Sequence, residues 1–308
     1  MTTTGLPHCA ALARQLGERP TGTASRHKAV LLIEHPGTWP GEVREQVLTA
    51  AFGPGGPARL DELHIRSGLR ALVIRRPGRH SAPAQLSVFA GRMEPGHRWL
   101  EKITVTDLAQ LADLDLEAIA TGAGGFGVPV EHPLLLVCVH GRKDACCAIR
   151  GRPVADALAI SYPEQAWQCT HFGGDRWAGN LLVAPHGFMY GQLEPETAVP
   201  AAKAAQRGEI ALSNLRGRTG ISSFAQVAEI AIRERTGLLG LDEVQAGQVR
   251  LDPAEDDGRA AVEVHAAGLA YRVIVARRPL GVQGHSVCSG ETHPHRFEVL
   301  SVQAGLHR

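Results

Sequence analysis

Residues 133–160 read PLLLVCVHGRKDACCAIRGRPVADALAI, and this stretch decides how the chain folds. Its opening apolar run has the length and composition of a buried strand. A short polar loop follows, and from Asp144 onward the sequence favours a helix. The stretch therefore predicts a strand, a loop and a helix in that order, with a cysteine where the strand ends.

The two halves of the chain show the same order of predicted elements on either side of a linker, TGAGGFGVPVEHP, at 121–133. The order β-α-β-β-β-α is typical of a thioredoxin-like sheet, in which the loop after the first strand commonly holds a redox site. Strands are expected at 29–34, 69–78, 84–91, 133–140, 166–172, 180–187 and 188–193, helices at 9–17, 41–52, 103–120, 151–160 and 197–210, and a Gly/Pro loop at 52–59.

The last third of the chain lacks this repeated pattern. A helix is expected at 222–238, a two-stranded hairpin at 260–280 and a strand at 295–303. We therefore predict an α/β (α+β) fold class, with two thioredoxin-like halves built on central mixed sheets and helices, plus a small C-terminal α+β appendage. The predicted domains are residues 1–125, 126–212 and 213–308.

The composition excludes several classes of protein. Hydrophobic residues make up 44% of the 308 residues, which rules out general disorder. With 32 Lys and Arg against 31 Asp and Glu, the near-neutral charge argues against a nucleic-acid binder or a polybasic membrane protein. No apolar run approaches the roughly 20 residues that cross a bilayer. Because no basic segment followed by an apolar one opens the chain, we expect a cytoplasmic, reducing location.

The six cysteines are unevenly distributed along the chain. Cys138, Cys146, Cys147 and Cys169 fall within 40 residues of one another, whereas Cys9 and Cys288 lie far away in the sequence. Disulfides are rare in a reducing compartment, so this clustering indicates chemistry rather than cross-linking.

The first motif is CVHGRKDACCAIRG, which begins at Cys138. Cys147 follows after eight residues, too far for a C-x-x-C redox pair, but a loop at a strand end can return a second thiolate beside the first. Two adjacent thiolates suit a soft-metal site. Because the vicinal residues Cys146 and Cys147 cannot easily bind one tetrahedral metal together, Cys146 is predicted to be a spectator.

The second motif is WQCTHFGGDRWAGN, residues 167–180. Cys169 and His171 are two residues apart near a strand end, so they are expected on one face of the sheet. Asp175 follows four residues after His171, beyond a double glycine that permits a tight turn. Thiolate, imidazole and carboxylate in one turn form half of a metal site.

Together these two motifs resemble the sucrase/ferredoxin-like family, also described as thioredoxin-like ferredoxins. The segments CAALARQLGERPTGTAS, from residue 9, and LLIEHPGTW, from residue 31, resemble the opening of that family, so the resemblance covers roughly residues 9–200. It implies a thioredoxin-like fold that carries a [2Fe–2S] cluster, which fungal members hold with two cysteines and the two histidines of an H-x-x-x-H motif.

Carried over to this chain, the resemblance implies cluster ligands at Cys138, Cys147 and His171. The second histidine position is occupied by Asp175, which is a departure from the family pattern. Either Asp175 coordinates or Cys169 replaces it, and we favour Cys169. Residues 126–212 would then be the cluster domain and residues 1–125 a cluster-free half, since no cysteine follows the strand at 29–34.

Other residues of the motifs have supporting roles in this interpretation. His140 and Asp144 are expected to orient the loop between the cysteines. Arg176 would place positive charge near the cluster.

The sequence thus predicts an electron carrier or oxidoreductase component rather than a stand-alone enzyme. Its partner would be an unidentified reductase or electron acceptor, and the chain could form a homodimer. Two alternatives stay open, namely a structural zinc site and a metal-free thiol enzyme that uses Cys138 or Cys147. Dinucleotide and Walker A phosphate-binding motifs are absent from the sequence.

Overall fold

Residues 8–78, 83–252, 258–282, 284–286 and 290–305 are described by a computed structural model, and Cys288 lies outside them. The helices are α1 (Cys9–Gln15), α2 (Val43–Phe52), α3 (Gly56–Ser67), α4 (Leu116–Thr121), α5 (Ala145–Ser161), α6 (Pro195–Gln206) and α7 (Ser223–Thr236). The strands are β1 (Ala29–Glu34), β2 (Leu69–Arg75), β3 (Leu86–Arg92), β4 (Trp99–Val105), β5 (Val128–Pro129), β6 (Leu134–Cys138), β7 (Ala166–Cys169), β8 (Leu181–Ala184), β9 (Phe188–Tyr190), β10 (Leu215–Arg218), β11 (Val244–Leu251), β12 (Arg259–Ala266), β13 (Leu269–Pro279), β14 (Gly284–Ser286), β15 (Gly290–Thr292) and β16 (His295–Ala304).

A single mixed sheet takes up the first ten of these strands in the order β10-β9-β8-β6-β7-β2-β1-β3-β4-β5. An apolar cluster lies on each of its faces, and the side chains of β6 alternate between the two: Leu135 and Val137 join one, and Leu134, Leu136 and Cys138 join the other. A strand that is buried on both faces needs apolar residues at successive positions, and the run LLLVC supplies them in β6.

Two stretches of this sheet repeat the same topology. In the order β2-β1-β3-β4, strand β1 is parallel to β2 and antiparallel to β3. The order β7-β6-β8-β9 has the same directions. The two stretches meet where β2 and β7 pair antiparallel. The predicted α/β class is confirmed, and the strands of both halves join in one sheet.

The C-terminal part is built around a separate four-stranded antiparallel sheet, β11-β12-β13-β16, against which α7 packs. The hairpin expected at 260–280 is confirmed as β12 and β13, with Ala267 and Gly268 in left-handed conformations at its turn. The segment predicted as an appendage also contributes β10 to the large sheet. No helix in the described part of the chain has the length and apolar character that a membrane span requires.

Two local predictions were wrong. The Gly/Pro loop expected through 52–59 gives way to α3 at Gly56, because Pro57 stands in the first turn, where no backbone N–H is needed. The helix expected from residue 103 is strand β4 as far as Val105, since its β-branched residues pair with β3. Helical structure resumes only at Leu108–Leu111 and in α4.

Helix α5 crosses β6 at very close range. A Cβ atom built on Gly151 would lie 2.1 Å from the carbonyl oxygen of Cys138. Only glycine therefore allows the helix to approach the strand end as it does. Gly151 consequently allows α5 to lie against the end of β6.

We predict that Gly151→Ala lowers the free energy of unfolding by about 2 kcal/mol, because the added methyl group meets backbone that cannot rotate away. Gly41→Ala is the matched control, since Gly41 has no neighbouring atom within 4 Å of a built Cβ. Urea unfolding of both variants measures the difference, and equal stabilities would contradict the close approach.

Candidate metal centre

The first thiol pair is positioned by the junction between β6 and α5. Cys138 is the last residue of β6, and Asp144 caps α5 by accepting a hydrogen bond of 2.7 Å from the backbone N–H of Cys146. This cap fixes where the helix begins and places Cys147 in its first turn. The predicted orienting role of Asp144 thus has a structural basis.

His140 lies in the same loop but reaches outside it. Its Nε2 atom is 2.8 Å from the carbonyl oxygen of Pro40, and its ring meets Trp39 edge to face. His140 therefore ties the loop between the cysteines to the first half of the chain.

The third donor comes from the end of β7. Cys169 is the last residue of this strand and pairs in register with Cys138 on the parallel strand β6. Two residues later, His171 directs Nδ1 toward both sulfurs, 3.8 Å from Cys138 Sγ and 3.5 Å from Cys147 Sγ.

Three of the predicted ligands are thus brought together. The donor atoms of Cys138, Cys147 and His171 all lie within 4.8 Å of one another. The two cysteines are 2% and 0% exposed, whereas His171 is half-buried. The arrangement can hold a metal between two enclosed sulfurs and an imidazole that reaches the surface.

Neither of the two residues predicted for the fourth position belongs to this group of three donors. Cys169 is fully buried in the same apolar cluster as Cys138 and Cys147, beside Trp167 and Phe172. The carboxylate of Asp175 instead lies near another thiol, with Oδ2 3.3 Å from Cys9 Sγ.

The pKa values of the three thiols Cys138, Cys147 and Cys169 are shifted in different directions. The pKa of Cys138 lies well below its usual value, because the Cys147 thiol and the His171 ring hydrogen-bond to its sulfur despite the opposing effect of burial. The pKa of Cys147 is raised, since its thiol proton is hydrogen-bonded to Cys138 and burial disfavours the thiolate. Burial and the charge on Cys138 also raise the pKa of Cys169. The first negative charge therefore belongs to Cys138.

A buried arginine that the sequence motifs did not reveal supplies compensating charge. Arg216, 2% exposed, donates hydrogen bonds to the carbonyl oxygens of Gly173 and Thr23 and to Asn180 Oδ1. Burial lowers its pKa to about 9, and negative charge on Cys138, Asp175 and Cys147 opposes that shift. Because Arg216 is distant in sequence from both motifs, the sequence did not indicate that it lies at this site.

Arg70 is a second cation at the site. It donates a hydrogen bond of 2.7 Å to the carbonyl oxygen of His171 and so holds the backbone of that ligand. Burial lowers its pKa, and the thiols of Cys138 and Cys169 act in the opposite direction. Arg176, the cation expected from the motif, forms a buried ion pair with Glu18.

A second group of metal-ligand type lies beside the first. Cys9, Asp144 and Cys146 place their donor atoms within 4.8 Å of one another, and all three residues are buried. Cys9 and Cys146 had been given no role on the basis of sequence. Cys9 belongs to residues 1–125, the half predicted to hold no cluster, so that half contributes one donor to this second group.

Comparison with known proteins adds one relationship. The model of the family described as sucrase/ferredoxin-like matches residues 20–217, which includes both motifs and Arg216. Searches of curated proteins and of solved structures find no significant match.

Replacing Arg216 tests how strongly the site depends on its buried cation. We predict that Arg216→Met lowers the free energy of unfolding by about 3 kcal/mol or more, because several buried acceptors lose their donor. Arg207→Met is the control: Arg207 makes a 2.6 Å ion pair with Glu209 at the surface, and its loss is expected to cost less than about 1 kcal/mol. Equal losses in chemical denaturation would show that Arg216 has no special structural role.

Proposed function

This chain belongs to the sucrase/ferredoxin-like family, and from that premise we propose that it is an electron-transfer protein that binds one [2Fe–2S] cluster. The observation that carries the proposal is the convergence of Cys138, Cys147 and His171 at the ends of two parallel strands. When bound, such a cluster accepts and releases one electron.

The residues present fit this group chemically. Thiolate and imidazole are the protein ligands of iron–sulfur centres with mixed ligation. The thiols lie in an apolar cluster that keeps water away, while Arg216 and Arg70 offset the negative charge of the site. A buried anionic group would be costly without such cations.

We propose Cys169 as the fourth ligand. It stands beside Cys138 on the neighbouring strand and faces the same apolar cluster. Asp175 is the weaker candidate, because its carboxylate contacts Cys9. A carboxylate is also a harder ligand than a thiolate and suits iron–sulfur chemistry less well.

His171 gives the site its contact with the surface. Its Nδ1 atom faces the sulfurs, so Nε2 is the position that holds or releases a proton. The ring lines two surface cavities of about 570 and 680 Å³, which give protons and an electron-transfer partner a route to it. The identity of that partner, a homodimer and a cytoplasmic location stay predictions.

A structural zinc ion at the same donors is the second candidate, since two cysteines and a histidine with a fourth thiolate form an ordinary zinc site. A metal-free thiol enzyme is disfavoured. The lowered pKa of Cys138 would suit a nucleophile, but its side chain is only 2% exposed and offers a substrate little access.

We predict that protein purified anaerobically is coloured and contains two iron and two acid-labile sulfide ions per chain. Cys138→Ser and Cys147→Ser should lose both. Among the two candidates for the fourth ligand, Cys169→Ser should change the visible spectrum and Asp175→Asn should leave it unchanged. Zinc without sulfide that is lost in Cys138→Ser and Cys147→Ser would favour the structural alternative, and a colourless, metal-free protein would exclude both.

The midpoint potential should fall as the pH rises, by up to about 59 mV per pH unit for one proton per electron. The reason is that reduction favours the protonated form of Nε2 on His171. His171→Cys preserves a ligand but removes the titrating ring, so its potential should be independent of pH, whereas the control His140→Gln should keep the slope. A flat wild-type potential between pH 6 and 9 would contradict ligation by His171.

A further inference from the structure

The N-terminal helix brings a distant cysteine to the first turn of α5. Cys9 Sγ lies 3.4 Å from Cys146 Sγ and 3.3 Å from Asp175 Oδ2, and its distance to Asp144 Oδ2 is 4.0 Å. These four residues are between 2% and 5% exposed. Two thiols and two carboxylates therefore share one enclosed space.

This group is distinct from the site of the proposed function. Successive residues of a helix point about 100° apart, so Cys146 and Cys147 face different neighbours. Cys147 packs with Cys138 in the large apolar cluster, whereas Cys146 packs with Cys9, Ala10 and Ala178. Adjacent cysteines can thus serve separate sites, which removes the reason for treating Cys146 as a spectator.

The chemistry of the group calls for a cation. Buried carboxylates and thiols are stable together only if protons or a metal ion reduce their mutual repulsion. The contact with Cys146, burial and the nearby carboxylates all raise the pKa of Cys9. A divalent ion would replace the thiol protons and bring opposite charge to the carboxylates.

We propose that Cys9, Cys146 and Asp144 bind a divalent ion of the zinc type. Asp175 lies outside this group of three but approaches Cys9, and it would complete the coordination as the fourth ligand. Tetrahedral zinc, with bonds of about 2.3 Å to sulfur and about 2.0–2.2 Å to oxygen, needs ligand atoms roughly 3.3–3.8 Å apart. The spacings between Cys9 and its three neighbours lie at or close to that range.

Asp144 can cap α5 and bind a metal ion at the same time. Its Oδ1 atom caps α5 through the N–H of Cys146, which leaves Oδ2 turned toward Cys9. An ion at this place would fasten α1 to α5 and to the turn that begins at Asp175. Cys9 lies before residue 20, where the match to the family model begins, so the site joins α1 to the matched segment.

Metal analysis of the full-length protein tests the proposal. We expect one zinc ion per chain in addition to any iron, and binding of added cobalt(II) to chelator-treated protein with the intense visible bands of a tetrahedral thiolate site. Cys9→Ala and Cys146→Ala should lose zinc and keep iron and sulfide. The adjacent substitution Cys147→Ala should do the opposite. Because zinc is counted separately from iron, failure of one site is distinguishable from failure of the other.

Asp144→Asn guards against loss of folding in the cysteine variants. Asparagine is an equally good helix cap, so α5 should keep its start while the affinity for cobalt falls at least tenfold. The proposal is overturned if the wild-type protein holds no zinc, or if its zinc survives in Cys9→Ala and Cys146→Ala. A Cys9–Cys146 disulfide found by peptide mapping of metal-free protein as purified would equally overturn it.

Discussion

The candidate centre depends on the parallel pairing of β6 with β7. Parallel strands end at the same edge of a sheet, so Cys138 and Cys169 must lie side by side and His171 must follow close by. The crossover between them is α5, which begins where β6 has just ended and therefore delivers Cys147 to the same edge. Gly151 lets the helix approach closely enough for the sulfurs to share one space.

Much of this could be predicted because the information is local. Strand β6, helix α5 and hairpin β12–β13 each carry an apolar run or a turn signal within a few residues, and both motifs lie at strand ends. The errors arose where longer-range pairing or context decided the outcome. The sequence around residue 103 is compatible with a helix, but in the fold this segment pairs with strand β3.

The supporting residues of the site could not be predicted for the same reason. Arg216 reaches the loop of Gly173 from an edge strand, and Arg70 reaches His171 from the other half of the chain. Cys9 meets Cys146 across 137 positions of sequence. Such long-range contacts cannot be predicted from periodicity or motif spacing, because they depend on how the intervening chain folds.

The junction of β2 with β7 has an evolutionary consequence. Both are the second strands of units with the same topology, and they pair antiparallel, as two identical subunits would across a twofold axis. In a symmetric dimer every substitution occurs twice, so neither copy can specialise. Within one polypeptide each copy mutates independently, and one unit can give up its donor side chains and serve as scaffold while the other keeps the chemistry.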